Sequence, residues 1–431
     1  MKLRLDLTKE YGLVLEGGGA KGAYQIGAWK ALREAGVKIK GLSGVSVGAL
    51  NGAMICMGDL EKAQEIWENI SYSQVMDVNE EQWDRITRGD LKNLNLNDVV
   101  QDAIKLIRDR GVDITPLKTM IADLCDEDVI RHSDMDFYIV TYSLSDRQLV
   151  DISAKDVPDG LIPDMLLASS YLPVFKRERL HGKHYMDGGG WDRVPIDSLV
   201  RRGYEDIIVL RIFGWGIEKP VKIPEHVNVI NVAPRQDLGG ILEFDRVRSG
   251  RNMLLGYYDA MRVLYGLMGE DYYLDMTLTE EEAYQRLLPM AKRYLQAEDS
   301  KKLDLMDKKC EEAADAKAEA STKKEEKRIE ERLEAQIEKT LEKLTEKKTD
   351  LRRIHENLLP DLAKKLLKNR SWSYADLYVK LLEQVALAYE IPCFAIYTEA
   401  DLILQIRKKR DEYDCQGIER PEWDLFFGGD C

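Results

Sequence analysis

Ser46 lies between two glycines in Gly44-Val45-Ser46-Val47-Gly48. Small residues on both sides permit a sharp strand-to-helix turn that lifts a hydroxyl out of the fold, and a helix starting behind it favours a developing negative charge. A serine hydroxyl is a weak nucleophile without a base. The histidines stand at 132, 181, 184, 226 and 355, and none has a compelling setting. His181 and His184 fall in the basic run from Lys176 to His184, which reads as a hairpin with solvated charges. Asp187, in Asp187-Gly188-Gly189 behind Tyr185-Met186, offers another base. A carboxylate at a strand end, with glycines leaving room around it and N–H donors holding it, can accept a serine proton. Taken alone, Asp-Gly is an ordinary turn. A third cluster, Gly17-Gly18-Gly19-Ala20-Lys21-Gly22, exposes backbone amides where a helix begins, a setting for negative charge. It lacks the Gly-Lys-Ser/Thr ending of a P-loop and the spacing of a dinucleotide site, so a nucleotide is not expected there.

The elements that must carry these residues can be traced along the chain. Tyr11 to Leu15 reads as a strand running into the glycine cluster, with a helix over 20–35 behind it. Gly41-Leu42-Ser43 reads as a short strand before Ser46, and Ala49 to Met57 as the helix after it. Asp136 to Tyr142 and Asp206 to Phe213 are apolar runs of buried-strand length, and Val227 to Val232 is a weaker one. Strands alternating with helices predict a mostly parallel sheet covered on both faces. Val247 to Met268 has the spacing of an amphipathic helix closing this part.

The three clusters, in this order and at these distances, resemble the patatin-like phospholipase family, as does Ala168-Ser169-Ser170-Tyr171-Leu172-Pro173-Val174-Phe175. The similarity covers roughly residues 11–215. It implies an α/β class, three-layer α/β/α catalytic domain and a Ser–Asp dyad without histidine. Ser46 is then the nucleophile and Asp187 the base. Gly17, Gly18, Gly19 and Ala20 form the oxyanion loop, supported by Lys21, Gly22, Gly44, Gly48, Gly188 and Gly189. No metal or organic cofactor is implied, and the substrate class is a phospholipid, lysophospholipid or other acyl ester. Lys21, Lys176, Arg177, Arg179 and Lys183 are candidates for holding a phosphate head group. One departure is Arg193, where such families often carry Asn ahead of the proline that is Pro195 here.

Composition sets the outer bounds. The chain has 431 residues, with 63 Lys and Arg against 77 Asp and Glu, a net charge of −14. That charge disfavours nucleic acid and gives no bulk attraction to an anionic membrane, so docking on a membrane or micelle must come from apolar loops. The six cysteines lack a framework spacing and read as free thiols of a reducing compartment. The first residues, Met1 to Asp6, have no apolar leader core and no uncharged run approaches a membrane span, so a cytoplasmic protein is expected. All but three of the 31 glycines lie at or before Gly269. The expected division is therefore a catalytic domain over 1–270 and a mainly helical region over 271–431. Within the latter, residues 298–358 are rich in charge, contain neither Gly nor Pro before Pro360, and carry an apolar stripe from Ile329 to Leu358. They predict long helices that fold into a hairpin or join copies of the chain as a coiled coil, with Pro360 ending them, then helix, short strand and helix.

Overall fold

The buried run of Glu10–Leu15 (β1) lies inside a sheet ordered β4-β3-β2-β1-β6-β7. Its other strands are Lys38–Val45 (β2), Asp136–Ser143 (β3), Gln148–Ser153 (β4), Tyr185–Asp187 (β5), Asp206–Leu210 (β6) and Asn228–Val232 (β7). β1, β2, β3, β6 and β7 pair in parallel, while β4 and β5 run antiparallel to β3. These come from a computed structural model, which describes residues 1–80, 111–176, 178–297, 308, 354–367 and 371–427. The described chain divides into two compact units, Met1–Leu267 and Met268–Cys431.

In the first unit the central strands carry apolar side chains on both faces, as a sheet covered by helices requires. The helices include Ala23–Glu34 (α1), Val47–Met57 (α2), Leu60–Asn69 (α3), Thr115–Leu124 (α4), Ile162–Ser169 (α5) and Arg246–Tyr265 (α6). α1 packs along α6, where the Tyr24 hydroxyl donates to Asp259 at 3.1 Å. The fold is the three-layer α/β/α arrangement expected. Two details differ from the sequence reading. β4 is half-buried and broken by polar Gln148, Asp151 and Ser153, so its apolar signal is weak and the sequence reading does not include it. β6 stops at Leu210 rather than Phe213, because the amides of Ile212, Phe213 and Gly214 turn away to the buried carboxylate of Glu16. The basic run does close a tight turn, with a bridge between Leu180 and Lys183 and positive φ at His181 and Gly182.

The second unit is mainly helical, built from residues 280–297, Leu359–Leu367 (α7), Tyr374–Ala388 (α8) and Glu399–Gln416 (α9). A parallel two-stranded sheet joins Tyr273–Leu274 (β8) to Ile396–Tyr397 (β9). The Ser373 and Thr398 side chains cap α8 and α9. Pro360, expected to end a helix, instead lies inside a helical run, where a π-helical turn at Ile354–Leu358 passes directly into α7. Apart from Lys308 and 354–358, the long-helix and coiled-coil expectation for 298–358 lies outside the described residues. No described helix is long and apolar enough to cross a membrane.

Candidate active site

Ser46 caps α2 at the end of β2 with a φ of 56°, a left-handed conformation unusual for a side-chain-bearing residue. The turn is possible because the backbone closes on itself. A Cβ at Gly44 would lie 2.3 Å from the Gly48 carbonyl oxygen, and one at Gly48 would lie 2.2 Å from that of Leu15. Ser169 fixes the elbow further: its Oγ accepts the Ser46 amide at 2.8 Å and donates to the Val140 carbonyl at 2.6 Å.

Sheet register brings Asp187 to the same place. β2 leaves the edge of β3 after the pair Val45–Val140, and β5 takes over on the next residue with Asp187 opposite Thr141. The Asp187 carboxylate therefore comes beside the Ser46 hydroxyl, which favours its ionised form, and it accepts the Gly189 amide at 2.7 Å. Burial raises the Asp187 pKa to about 6, against the lowering influence of those two groups. A carboxylate of that basicity is still ionised at neutral pH and can take a proton from the hydroxyl beside it.

The glycine loop lies beside this pair. Gly17 donates its amide to the Arg193 carbonyl at 3.0 Å, and Ala20 donates to the Ile241 carbonyl at 2.9 Å. Two of the four amides expected to face an oxyanion are thus already engaged with other loops. Gly19, at a φ of 56° and with Ile241 oxygen 2.0 Å from any added Cβ, tolerates no side chain. Lys21 donates to the Phe213 carbonyl at 2.8 Å, and Lys183 pairs with Asp146. Neither lines the cavity described below, nor do Lys176 and Arg179. Arg177 lies outside the described residues. His181 binds Asp164 instead of Ser46.

Several supports were not legible as such. Glu16, fully buried ahead of the loop, holds the amides of Ile212, Phe213 and Gly214 and lies 3.0 Å from both Arg193 and Arg211. Arg193, the departure noted above, thus neutralises a buried acid whose partners are far away in sequence. Gln25 donates to the Glu16 carbonyl. Asn51 donates to Gln25 and to the Gly22 carbonyl, and accepts from Trp67. A buried polar chain satisfied at each link tends to fix a single geometry.

From Ser46 an apolar cavity, partly open to solvent, runs along α2. Leu50, Ala53, Met54 and Met57 form its floor at helical spacing. Ile66, Trp67 and Ile70 wall one side, Leu117, Met120, Ile121 and Leu124 another, with Cys125, Leu166, Phe175 and Phe244 completing it. Apart from the Ser46, Asn51 and Ser170 hydroxyl and amide groups and the Cys125 thiol, its lining is hydrocarbon, Met thioether or indole.

Residues 13–200 match the family described as Patatin-like phospholipase, and the chain carries a patatin-like phospholipase domain over that stretch. Among curated proteins it is similar to Neuropathy target esterase sws of Drosophila persimilis, 60% identical over 45 residues, and to that of Drosophila melanogaster, 58% identical over 45 residues. Those matches cover 10% of this chain and about 3% of the relatives' length. Among solved structures, VipD from Legionella pneumophila aligns with a TM-score of 0.37 and 16% identity, covering 59% of this chain and 66% of that one. The type III effector protein ExoU aligns with a TM-score of 0.29 and 17% identity, covering 88% of this chain and 79% of that one.

Proposed function

We propose that the chain is a lipid acyl-ester hydrolase working through Ser46 and Asp187, and that its substrates are glycerophospholipids or lysophospholipids. One observation carries the reading: a serine hydroxyl beside a buried carboxylate opens onto a long apolar cavity. The acyl chain occupies that cavity, with its ester carbonyl at Ser46. Asp187 takes the hydroxyl proton as Oγ attacks the carbonyl carbon. The Gly18 and Gly19 amides, with the first turn of α2, stabilise the tetrahedral oxyanion, a donor of this kind being worth about 3–4 kcal/mol. As the C–O bond breaks, Asp187 returns the proton to the leaving alcohol. Water, deprotonated by the same carboxylate, then releases the fatty acid and restores Ser46. The family match supports the acyl-ester chemistry, and the hydrocarbon lining supports a lipid chain over a short polar ester.

The test is covalent labelling by a fluorophosphonate, together with mass-spectrometric product analysis on a phospholipid panel. Wild type should label at Ser46 and release fatty acid, whereas Ser46→Ala and Asp187→Asn should fall by at least about 10⁴-fold. Hydrolysis unchanged in Ser46→Ala would remove the proposal. Acyl transfer to added glycerol or lysolipid in place of water would keep the dyad and change the reaction class.

A further inference from the structure

Phe213, Trp215 and Ile217 alternate along the segment that leaves β6, with 50%, 52% and 57% of their surfaces exposed. Large apolar side chains turn inward where the backbone is free to let them. Here it is held at nearly every residue. Glu16 takes the amides of Ile212, Phe213 and Gly214. Lys21 binds the Phe213 carbonyl, and Arg193 Nη1 binds that of Gly214 at 3.0 Å. Ile217 donates to Gly189 at 3.0 Å and accepts the Arg193 amide at 2.8 Å. Phe213 is fixed at a φ of 47°, a strained setting for a bulky residue that persists only where its surroundings impose it. The segment thereby spans the site's rim, from Lys21 beside the glycine loop to Gly189 beside Asp187.

We propose that Phe213, Trp215 and Ile217 form the surface by which the chain docks on a zwitterionic phospholipid layer, seating the cleft on its substrate. The inference rests on reading that cleft as a lipid-ester site, and it names the surface the cleft works from. Three observations favour lipid over a protein partner. The patch's segment packs on the glycine loop at Gly17 and Gly18, next to Gly19, which lines the cavity that receives the acyl chain. Its make-up, two aromatic rings and one aliphatic chain on a rigid loop, is that of side chains that settle at the boundary between head groups and hydrocarbon. The neighbouring cations Arg193, Arg211 and Lys219 are paired with Glu16, Glu218 and Asp197, and the chain is acidic overall, so attraction to anionic head groups is not what the surface offers.

The experiment uses the full chain carrying Ser46→Ala, which spares the lipid, with co-sedimentation on phosphatidylcholine vesicles. Phe213→Asn, Trp215→Ser and Ile217→Ser are then introduced together, Asn being chosen because it accepts positive φ. The triple change should weaken partitioning roughly a hundredfold, and Ile217→Ser alone by several-fold to roughly tenfold. Binding of the parent should change little with salt. Should the triple variant not fold by circular dichroism, the single replacement carries the test. Parent protein that ignores the vesicles, or variants that bind as the parent does, would overturn the proposal. So would a lipid-free dimer in sedimentation velocity that dissolves on these changes, which would give the surface to a second copy. Fluorophosphonate labelling of the otherwise wild-type chain reads the Ser46 chemistry separately: docking with no labelling sinks the hydrolase reading alone, and labelling with no docking sinks this one alone.

Discussion

Val45 and Asp187 occupy successive rungs on one edge of β3, opposite Val140 and Thr141. β2 arrives from one end of that edge and β5 from the other. The residue after Val45 and the last residue of β5 therefore face each other across the gap. Hydrogen bonding in the sheet, more than side-chain packing, sets the spacing between Ser46 and Asp187.

The buried position of Asp187 sets a pH dependence. Its pKa lies near 6, so kcat/KM should decline as pH falls through about 6, when the carboxylate gains a proton and can no longer accept one from Ser46. Asp192 is also raised to about 6 by burial, and Asp192→Asn should leave that acid limb in place. The stability effect has the opposite sign. A carboxyl whose folded pKa exceeds its unfolded one favours the native state most below the unfolded value, and that benefit is lost as pH rises to about 6. Asp187→Asn should thus stabilise the protein at pH 7, by up to about 3 kcal/mol, while abolishing turnover. A pH–rate profile and denaturant unfolding at two pH values check both.

Ser169 reaches no substrate position, yet it links Ser46 to β3. Ser169→Ala leaves the Ser46 amide without its acceptor and should cost about 1–2 kcal/mol of stability. Loss of the pinned elbow should lower kcat roughly tenfold or more with little change in KM. Ser169→Thr, which keeps the hydroxyl, should recover part of the rate if the hydrogen bond is what matters. Steady-state kinetics of the two variants decide it.

Glu16→Gln replaces one charge that serves two arginines and three amides. Breaking a buried ion pair on one side commonly costs about 3–5 kcal/mol, because the remaining charges stay buried without compensation. A lower unfolding midpoint is expected, with reduced fluorophosphonate labelling as the glycine loop loses its support. Midpoint and labelling rate both unchanged would show Glu16 to be dispensable.

Ala53 lies on the cavity floor two turns beyond Ser46, about 10 Å along the helix axis. Ala53→Phe should block the far half of the cavity, lowering the ratio of long-chain to short-chain kcat/KM by roughly tenfold or more, at an overpacking cost of about 1–3 kcal/mol. A series of esters differing only in acyl length measures that ratio.

What could be read before any coordinates was local. The central strands are continuous apolar runs, and glycines around Ser46 and beside Asp187 mark tight backbone whatever the fold. Glu16, Ser169 and Asn51 act through partners far away in the chain, and a single acid, serine or amide in a sequence carries no trace of such partners. The glycine loop was legible as a place with exposed amides, but which of them are engaged depends on the carbonyls of Arg193 and Ile241, set by other loops. Phe213, the first of the three exposed side chains after β6, reads as the end of a buried strand, because hydrophobicity alone does not tell a side chain facing the core from one held out to solvent.

In the second unit, Met290 and Ala291 belong to the same buried cluster as Ile354 and Leu359, so the chain departs from one packed core and comes back to it more than sixty positions later. Loop-closure entropy grows only slowly with length, so a separation of that size in sequence adds little to the cost of bringing the two arms of the cluster together.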